Sequence, residues 1–382
     1  MINFHFDFYE IIVWVAVILM ILVCKGCRYV PLKKPGGFGQ PLANPICLIF
    51  PIVFFVLFAG FRKNVGDTYF YVLSFEMMDS DNLQPVNAEM FFTEMFNFFQ
   101  LLIRRYTDDG MWLCMFSAIF ALPVPLYILY KYTYYYEDAI FLFVAYGYIG
   151  GMMNGMRQYM ATAIVLCGTK YLFSLKKSSF IKYAAIIMLA WGMHNSALIM
   201  IPMFFVVRRK AWQISSYLII LGSVVATLAF DTILPSFLGA VENTSYGEYA
   251  NNGWFTSGTE GGSSIGRVVI AVAPIVIAFF NRERMERLGR AGDVLINFAF
   301  INAAIYMIAT YNWIFARLGI YLMVYYMIFA SWAVRFAAPP RDRMTYVSVF
   351  YVAFFLYSRF NAYQISMYIS DYFFPGRKLF RS

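Results

Sequence analysis

The sequence predicts an all-α, polytopic membrane protein. Of its 382 residues 61% are hydrophobic and only 13% charged. The mean hydropathy is +0.63, and apolar runs long enough to cross roughly 30 Å of hydrocarbon recur along the chain. Such a composition excludes two or three soluble domains. The formal charge of +9 could point to nucleic acid. The basic residues, however, fall in short clusters between apolar runs, where they act as topology signals. Membrane lipid is therefore the expected surroundings, and no nucleic-acid partner is expected.

The runs lie near 9–24, 45–61, 111–130, 138–154, 158–174, 212–230, 265–281, 294–312, 314–334 and 344–358. The first follows Asp7 and Glu10 and is not followed by a small-residue cleavage site, so it reads as a retained helix. A further apolar stretch, 180–207, is decided by charge. Read as one helix, it sets Lys176, Lys177 and Lys182 on the opposite side from Arg208, Arg209 and Lys210. Read as a hairpin turning at "GMHNS", it keeps both clusters together, as the positive-inside rule favours. The expectation is about twelve transmembrane helices, with the N-terminus outside and residues 1–382 forming a single integral-membrane domain. The C-terminal "GRKLFRS" runs against the charge rule.

Two external segments are large. Residues 62–110 end in "AEMFFTEMFNFFQLLIRRY", where Glu89, Thr93, Asn97, Gln100 and Arg104 recur at helical spacing. This predicts a helix with a narrow polar stripe lying in the membrane interface. Residues 231–264 carry no basic residue and many Asn, Ser, Thr and Gly, with Tyr246, Tyr249 and Trp254 among them. Such a loop offers ring faces and hydroxyls to sugars, although a plain solvated loop has the same composition.

Five cysteines are present; Cys24 and Cys27 form a lone CxxC with no second pair, so structural thiols are expected rather than zinc. No HExxH, DxD or paired ligand set is evident, and neither a metal nor a cofactor is expected.

Several arginines stand apart from the basic clusters, at the ends of spans opposite to them: Arg62, Arg157, Arg267, Arg317 and Arg359. An arginine at mid-membrane costs about 2.5–3.5 kcal/mol on insertion scales. Each one could pair with Asp67, Glu94 or Asp231, or snorkel to lipid phosphate. Five on one side point instead to an anionic ligand. Around Arg157, the residues Gly147, Gly151, Asn154, Gln158 and Ala161 recur at three- or four-residue spacing, so small and polar side chains line one helical face where another helix can approach. Guanidinium is permanently charged and its fork of donors suits phosphate oxygens. A lipid-linked saccharide pyrophosphate fits these features: its tail stays in the bilayer, its charges lie at headgroup level and its sugars reach the external loops.

Four stretches in order, "AGFRKNVGDTYFY" (59–71), "TEMFNFFQLL" (93–102), "NGMRQYMATAI" (154–164) and "WGMHNSALIMIP" (191–202), resemble the EpsG family of Wzy-like bacterial exopolysaccharide and O-antigen polymerases. The likeness is clear over about 50–210; one departure is that Asp67 follows Gly66 directly. The resemblance implies a C-type glycosyltransferase-like fold in the plasma membrane. It also implies a metal-independent glycosyltransferase that joins oligosaccharides carried on undecaprenyl pyrophosphate, for capsule or O-antigen polymers. Donor and acceptor are then both lipid-linked, and a chain-length regulator protein is a further partner. Carried over by position, Arg62, Gly66, Asp67, Arg157, Gln158, His194 and Ser196 match its motifs.

Glycosyl transfer needs the departing pyrophosphate stabilised and the attacking hydroxyl deprotonated. Arg157 and Gln158, with Arg62, Arg317 and Arg267, are the candidates for the first task. Asp67, Glu94 and His194 are the candidates for the second. A turn histidine bonded to backbone is the plainer alternative for His194. An O-antigen-ligase-like transferase would share the same site, and a flippase for the same lipid would also need arginines, though spread through the midplane.

Overall fold

Apolar surroundings leave a backbone no water to bond with, so hydrogen bonds close locally and helices result. The computed structural model describes residues 7–27, 44–133, 135–230, 232, 262–361 and 368–370. Among these, regular structure is helical throughout, apart from a single bridge between Asn64 and Ile369. Four helices are long and apolar enough to cross a membrane: Phe8–Gly26, Met111–Tyr132, Gly289–Ala309 and Trp313–Ala337. Shorter apolar helices are Ile46–Gly60, Ser179–Met193, Asn195–Val207, Ile214–Leu228 and Ile265–Phe280. The chain is an integral membrane protein of helical architecture.

The residues form two compact units. The first comprises Met1–Thr169, Ile181–Leu198 and Phe354–Ser382. Its helices are α1 (Phe8–Gly26), α2 (Ile46–Gly60), α3 (Thr68–Glu76), α4 (Ala88–Thr93), α5 (Met95–Arg104), α6 (Met111–Ala121), α7 (Pro123–Tyr132), α8 (Tyr136–Ala145), α9 (Tyr148–Asn154) and α10 (Met156–Cys167). At one end of this unit Tyr9 packs on Tyr368, which stacks on Phe58 with centroids 4.3 Å apart. Lys63 N–H donates to Ile369 O, and Ser370 Oγ donates to Phe61 O. The start of α1, the loop after α2 and the segment 368–370 thus share one end. Cys24 and Cys47 meet within the unit as free thiols.

The second unit comprises Lys170–Phe180 and Ile199–Ala353. Its centre is the helix Gly289–Ala309, buried along most of its length. Phe298 of that helix stacks on Tyr325 at 4.2 Å. Asn297 Nδ2 donates to the carbonyls of Val207 and Arg209.

Between 179 and 207 the chain turns back on itself. A helix over Ser179–Met193 is followed by a 3-10 turn over Asn195–Ile199 and a helix over Met200–Val207. The Phe180 ring lies 5.4 Å from that of Phe204 and 4.8 Å from that of Phe205. An unbroken helix would hold these positions about 36 Å apart. Arg208 Nη2 also donates to Ser174 O at 2.6 Å, so the two basic clusters stand at the same end of the hairpin.

Three expectations change in the structure. The helix expected over 89–104 is two helices, α4 and α5, broken at Glu94, whose φ of −136° and ψ of 49° lie outside the helical well. Gln100 and Arg104 are buried; Arg104 donates to the carbonyls of Glu76 and Met78, so this end of the stripe faces protein, not the interface. The small-residue face expected from Gly147 to Ala161 is shared by two helices, α9 and α10, with Gly147 (φ 87°) before the first and Gly155 (φ −95°, ψ 50°) between them. Arg359 is not solitary: it forms a buried ion pair with Glu10.

Candidate functional site

The four stretches singled out in the sequence meet at one end of the first unit. The loop after α2 is built on Arg62, whose side chain is 1% exposed. Its Nη1 donates to Ala59 O, its Nε to Thr68 Oγ1 at 3.0 Å and its Nη2 to Ser117 Oγ at 3.3 Å. Thr68 Oγ1 in turn donates to Met153 O at 2.7 Å. A buried cation is tolerated where oxygen acceptors surround it. Here those acceptors belong to the chain itself, and Arg62 serves to close the loop that carries Asp67.

Next in that loop, Gly66 has φ of 52°, and a Cβ on it would stand 2.0 Å from Asn154 Oδ1. Only glycine takes this backbone conformation without cost and leaves that oxygen room. Asn154 Oδ1 accepts the N–H of Asp67 at 2.7 Å, which joins the first stretch to the end of α9. The Asp67 side chain is half-buried at the start of α3.

The interruption at Gly155 ends α9 and starts α10, with Arg157 in the first turn of α10 and no side chain capping it. Arg157 is exposed, and its guanidinium carbon lies 5.4 Å from the centre of the Phe96 ring, from the second stretch. Among the described residues no carboxylate pairs with it. A helix N-terminus carries about half a positive charge. The end of α9 adjoins that terminus at Gly155 and offsets part of this charge, so what marks Arg157 is its exposed fork of donors.

Gln158, the next residue, points into protein and is 5% exposed. Its Nε2 lies 3.4 Å from Ser196 Oγ, and that hydroxyl lies 2.7 Å from His194 Nδ1. The fourth stretch thereby joins the third. It also reaches the residue just before the second stretch, because Gly192 lies against the backbone of Phe92: a Cβ there would stand 2.3 Å from the Phe92 carbonyl oxygen. Glu94 is exposed at the break between α4 and α5 and accepts from Asn97 Nδ2 at 3.2 Å.

The unit thus gathers Arg62, Asp67, Glu94, Arg157, Gln158, His194 and Ser196. Arg267 and Arg317 belong to the second unit. Arg267 is half-buried 5.2 Å from the Tyr306 ring and donates to Ser263 Oγ. Arg317 is half-buried 4.9 Å from the Trp313 ring, within a 3-10 run over Trp313–Leu322 that is long for its type. Tyr246, Tyr249 and Trp254 lie outside the described residues.

Sequence reasoning passed over Phe96 as the ring beneath Arg157, and Thr68 and Ser117 as the acceptors for Arg62. Only the folded chain brings these pairs together. Among the described residues no group of three His, Cys, Asp or Glu side chains is arranged to hold a metal ion.

No curated protein and no solved structure matches the chain. A family model described as the EpsG family matches residues 45–375, most of the chain and all four stretches of the site. The chain belongs to the EpsG family, a family of Wzy-like exopolysaccharide polymerases.

Proposed function

We propose that the protein lengthens a polysaccharide by joining oligosaccharide repeat units carried on undecaprenyl pyrophosphate, at the outer face of the bacterial plasma membrane. The observation that carries this reading is Arg157: an exposed guanidinium at a helix N-terminus, resting on Phe96, with no carboxylate partner among the described residues. Pyrophosphate supplies the anion this arrangement lacks. Its lipid would keep the site at the end of a membrane-embedded unit supplied with donor.

In the reaction the bond from the sugar's anomeric carbon to the phosphate oxygen breaks, and the electron pair leaves with the pyrophosphate. A hydroxyl of the acceptor saccharide bonds to the same carbon and gives up its proton. Arg157 would stabilise the charge that develops on the departing group, in an arrangement organised before substrate arrives. Asp67 and Glu94, carboxylates of the same unit, are the candidates to take the proton. Arg62 acts from behind, holding the Asp67 loop in shape. In the second unit Arg267 and Arg317 are the cations suited to phosphate, and Tyr246, Tyr249 and Trp254 are the rings suited to sugar. The twelve-helix count, the outside N-terminus and the C-type glycosyltransferase-like arrangement belong to this reading, as does catalysis without a metal.

The test is chain extension by the purified protein in lipid nanodiscs, given a synthetic undecaprenyl-pyrophosphate oligosaccharide. A ladder of products that remain lipid-linked supports the polymerase. Transfer to an unrelated acceptor would instead make it a ligase, and lipid movement without bond formation a transporter.

A further inference from the structure

In the second unit, the segment Val207–Ala211 is clamped onto the first turns of the helix Gly289–Ala309. Ala211 N–H donates to Asp293 Oδ1 at 2.8 Å, and Asn297 Nδ2 donates to Val207 O at 3.1 Å and to Arg209 O at 2.8 Å. Positions 290, 293 and 297 share one face of a helix. Arg290 therefore lies on the face that carries the segment, and Arg208 lies within the segment. Arg208 is held in place: its Nη2 donates to Ser174 O at 2.6 Å, and its guanidinium carbon stands 4.2 Å from the centre of the Phe204 ring.

Two half-buried guanidinium groups are thus brought within electrostatic reach of each other. Among the described residues neither has an ion pair, and Arg290 has no hydrogen bond. The Nε atoms of both are buried without a partner, whereas buried donors are ordinarily bonded. Burial, and after it the charge of Arg290, push Arg208 below its ordinary proton affinity, yet a guanidinium stays ionised. Asp293 is the carboxylate beside them. It also feels Lys210 and the exposed Glu286, and it spends one oxygen on the Ala211 N–H. Exposed cations such as Arg209 and Lys210 are hydrated by solvent; two half-buried ones fixed side by side call for an anion.

We propose that Arg208 and Arg290 bind the phosphate of an anionic phospholipid headgroup. Guanidinium forks suit phosphate oxygens, and basic pockets between membrane helices take such headgroups. A lipid fits better than a soluble phosphate because apolar side chains stand exposed in the adjoining chain. Leu175, next to Ser174, is 78% exposed, Phe205 is 54% exposed and Ile214 is 77% exposed. Acyl chains cover such surface while the headgroup reaches the arginines, and a free ion would leave it bare. Lipid bound here would brace the segment Val207–Ala211 against the helix Gly289–Ala309. The site owes nothing to the polymerase reading, since binding needs no turnover.

The test uses the full-length protein in detergent free of phospholipid, titrated with dioleoylphosphatidylglycerol, dioleoylphosphatidylcholine or inorganic phosphate. Binding is read by native mass spectrometry and by melting temperature. Phosphatidylglycerol should bind in a saturable step and raise the melting temperature; phosphatidylcholine and phosphate at equal concentration should do neither. Arg290→Gln removes a side chain that has no hydrogen bond to lose. Without lipid it should melt at or above the wild-type temperature, and it should bind phosphatidylglycerol about tenfold to a hundredfold more weakly, the worth of a hydrogen bond to a charged group. Arg208→Gln should weaken binding to a like degree, and Arg209→Gln, at an exposed neighbour, should bind as wild type does. The proposal is overturned if Arg208→Gln or Arg290→Gln binds as well as wild type, or if Arg209→Gln weakens binding as much as they do, which would mean diffuse surface charge. It is overturned too if Arg290→Gln melts well below wild type without lipid, which would make Arg290 structural. Equal protection by inorganic phosphate would replace the lipid with a soluble anion, and equal protection by phosphatidylcholine would replace the site with general solvation by lipid; either result sinks it.

Discussion

Asn154 Oδ1 accepts the backbone N–H of Asp67 at 2.7 Å, tying the end of α9 to a loop that lies far from it in sequence. The contact exists because Gly66 leaves space for it. Gly66→Ala should cost more than the usual glycine substitution, since it strains a φ of 52° and drives a methyl group to 2.0 Å from Asn154 Oδ1. A loss of about 1–3 kcal/mol in stability is expected, with extension activity falling alongside. Gly26→Ala is the control, having nothing within 4 Å and no positive φ. Equal melting temperatures for the two variants in detergent would show that the contact is unimportant.

Arg157→Lys keeps a cation but loses the planar two-pronged donor and its flat contact with Phe96. Chain extension should fall by roughly a hundredfold to a thousandfold, while yield, monodispersity and melting temperature stay at wild-type values. Because the side chain is exposed and has no carboxylate partner among the described residues, its removal leaves no buried charge behind. A fully active lysine variant would show that the pyrophosphate is held elsewhere.

The buried pair Glu10–Arg359 behaves in the opposite way. Both side chains are almost inaccessible, and each neutralises the other. Glu10→Gln or Arg359→Met alone should destabilise by about 3–5 kcal/mol, because an uncompensated buried charge remains. The double variant should recover much of that loss. Thermal unfolding of all four proteins closes the cycle, and additive losses would mean that the pair is not coupled.

Membrane sidedness can be read with an impermeant thiol reagent on intact cells. In a background without the native cysteines, Tyr246→Cys and Thr256→Cys should be labelled, and Lys177→Cys should not. Labelling at Lys177 would overturn the sidedness read for the hairpin over 179–207.

The helical class, long apolar helices such as those over 9–24 and 294–312, and the turn near His194 were all legible in the sequence alone. Each depends on local quantities: run length against bilayer thickness, and the placement of charge along the chain. The family resemblance was legible for the same reason, since it lies in four short contiguous stretches. The break at Gly155 falls in the gap between the runs 138–154 and 158–174, but the break at Glu94 was not legible, because glutamate does not forbid a helix and the surrounding pattern continues through it. Only the tertiary structure separated the arginines. Arg62, Arg157 and Arg359 are chemically identical, and each stands near the end of an apolar run. Folding surrounds Arg62 with the oxygens of Ala59, Thr68 and Ser117, gives Arg359 the carboxylate of Glu10, and leaves Arg157 over a ring at a helix N-terminus. What a guanidinium does is decided by which acceptors lie within hydrogen-bonding distance, and the residues that supply them come from distant parts of the chain.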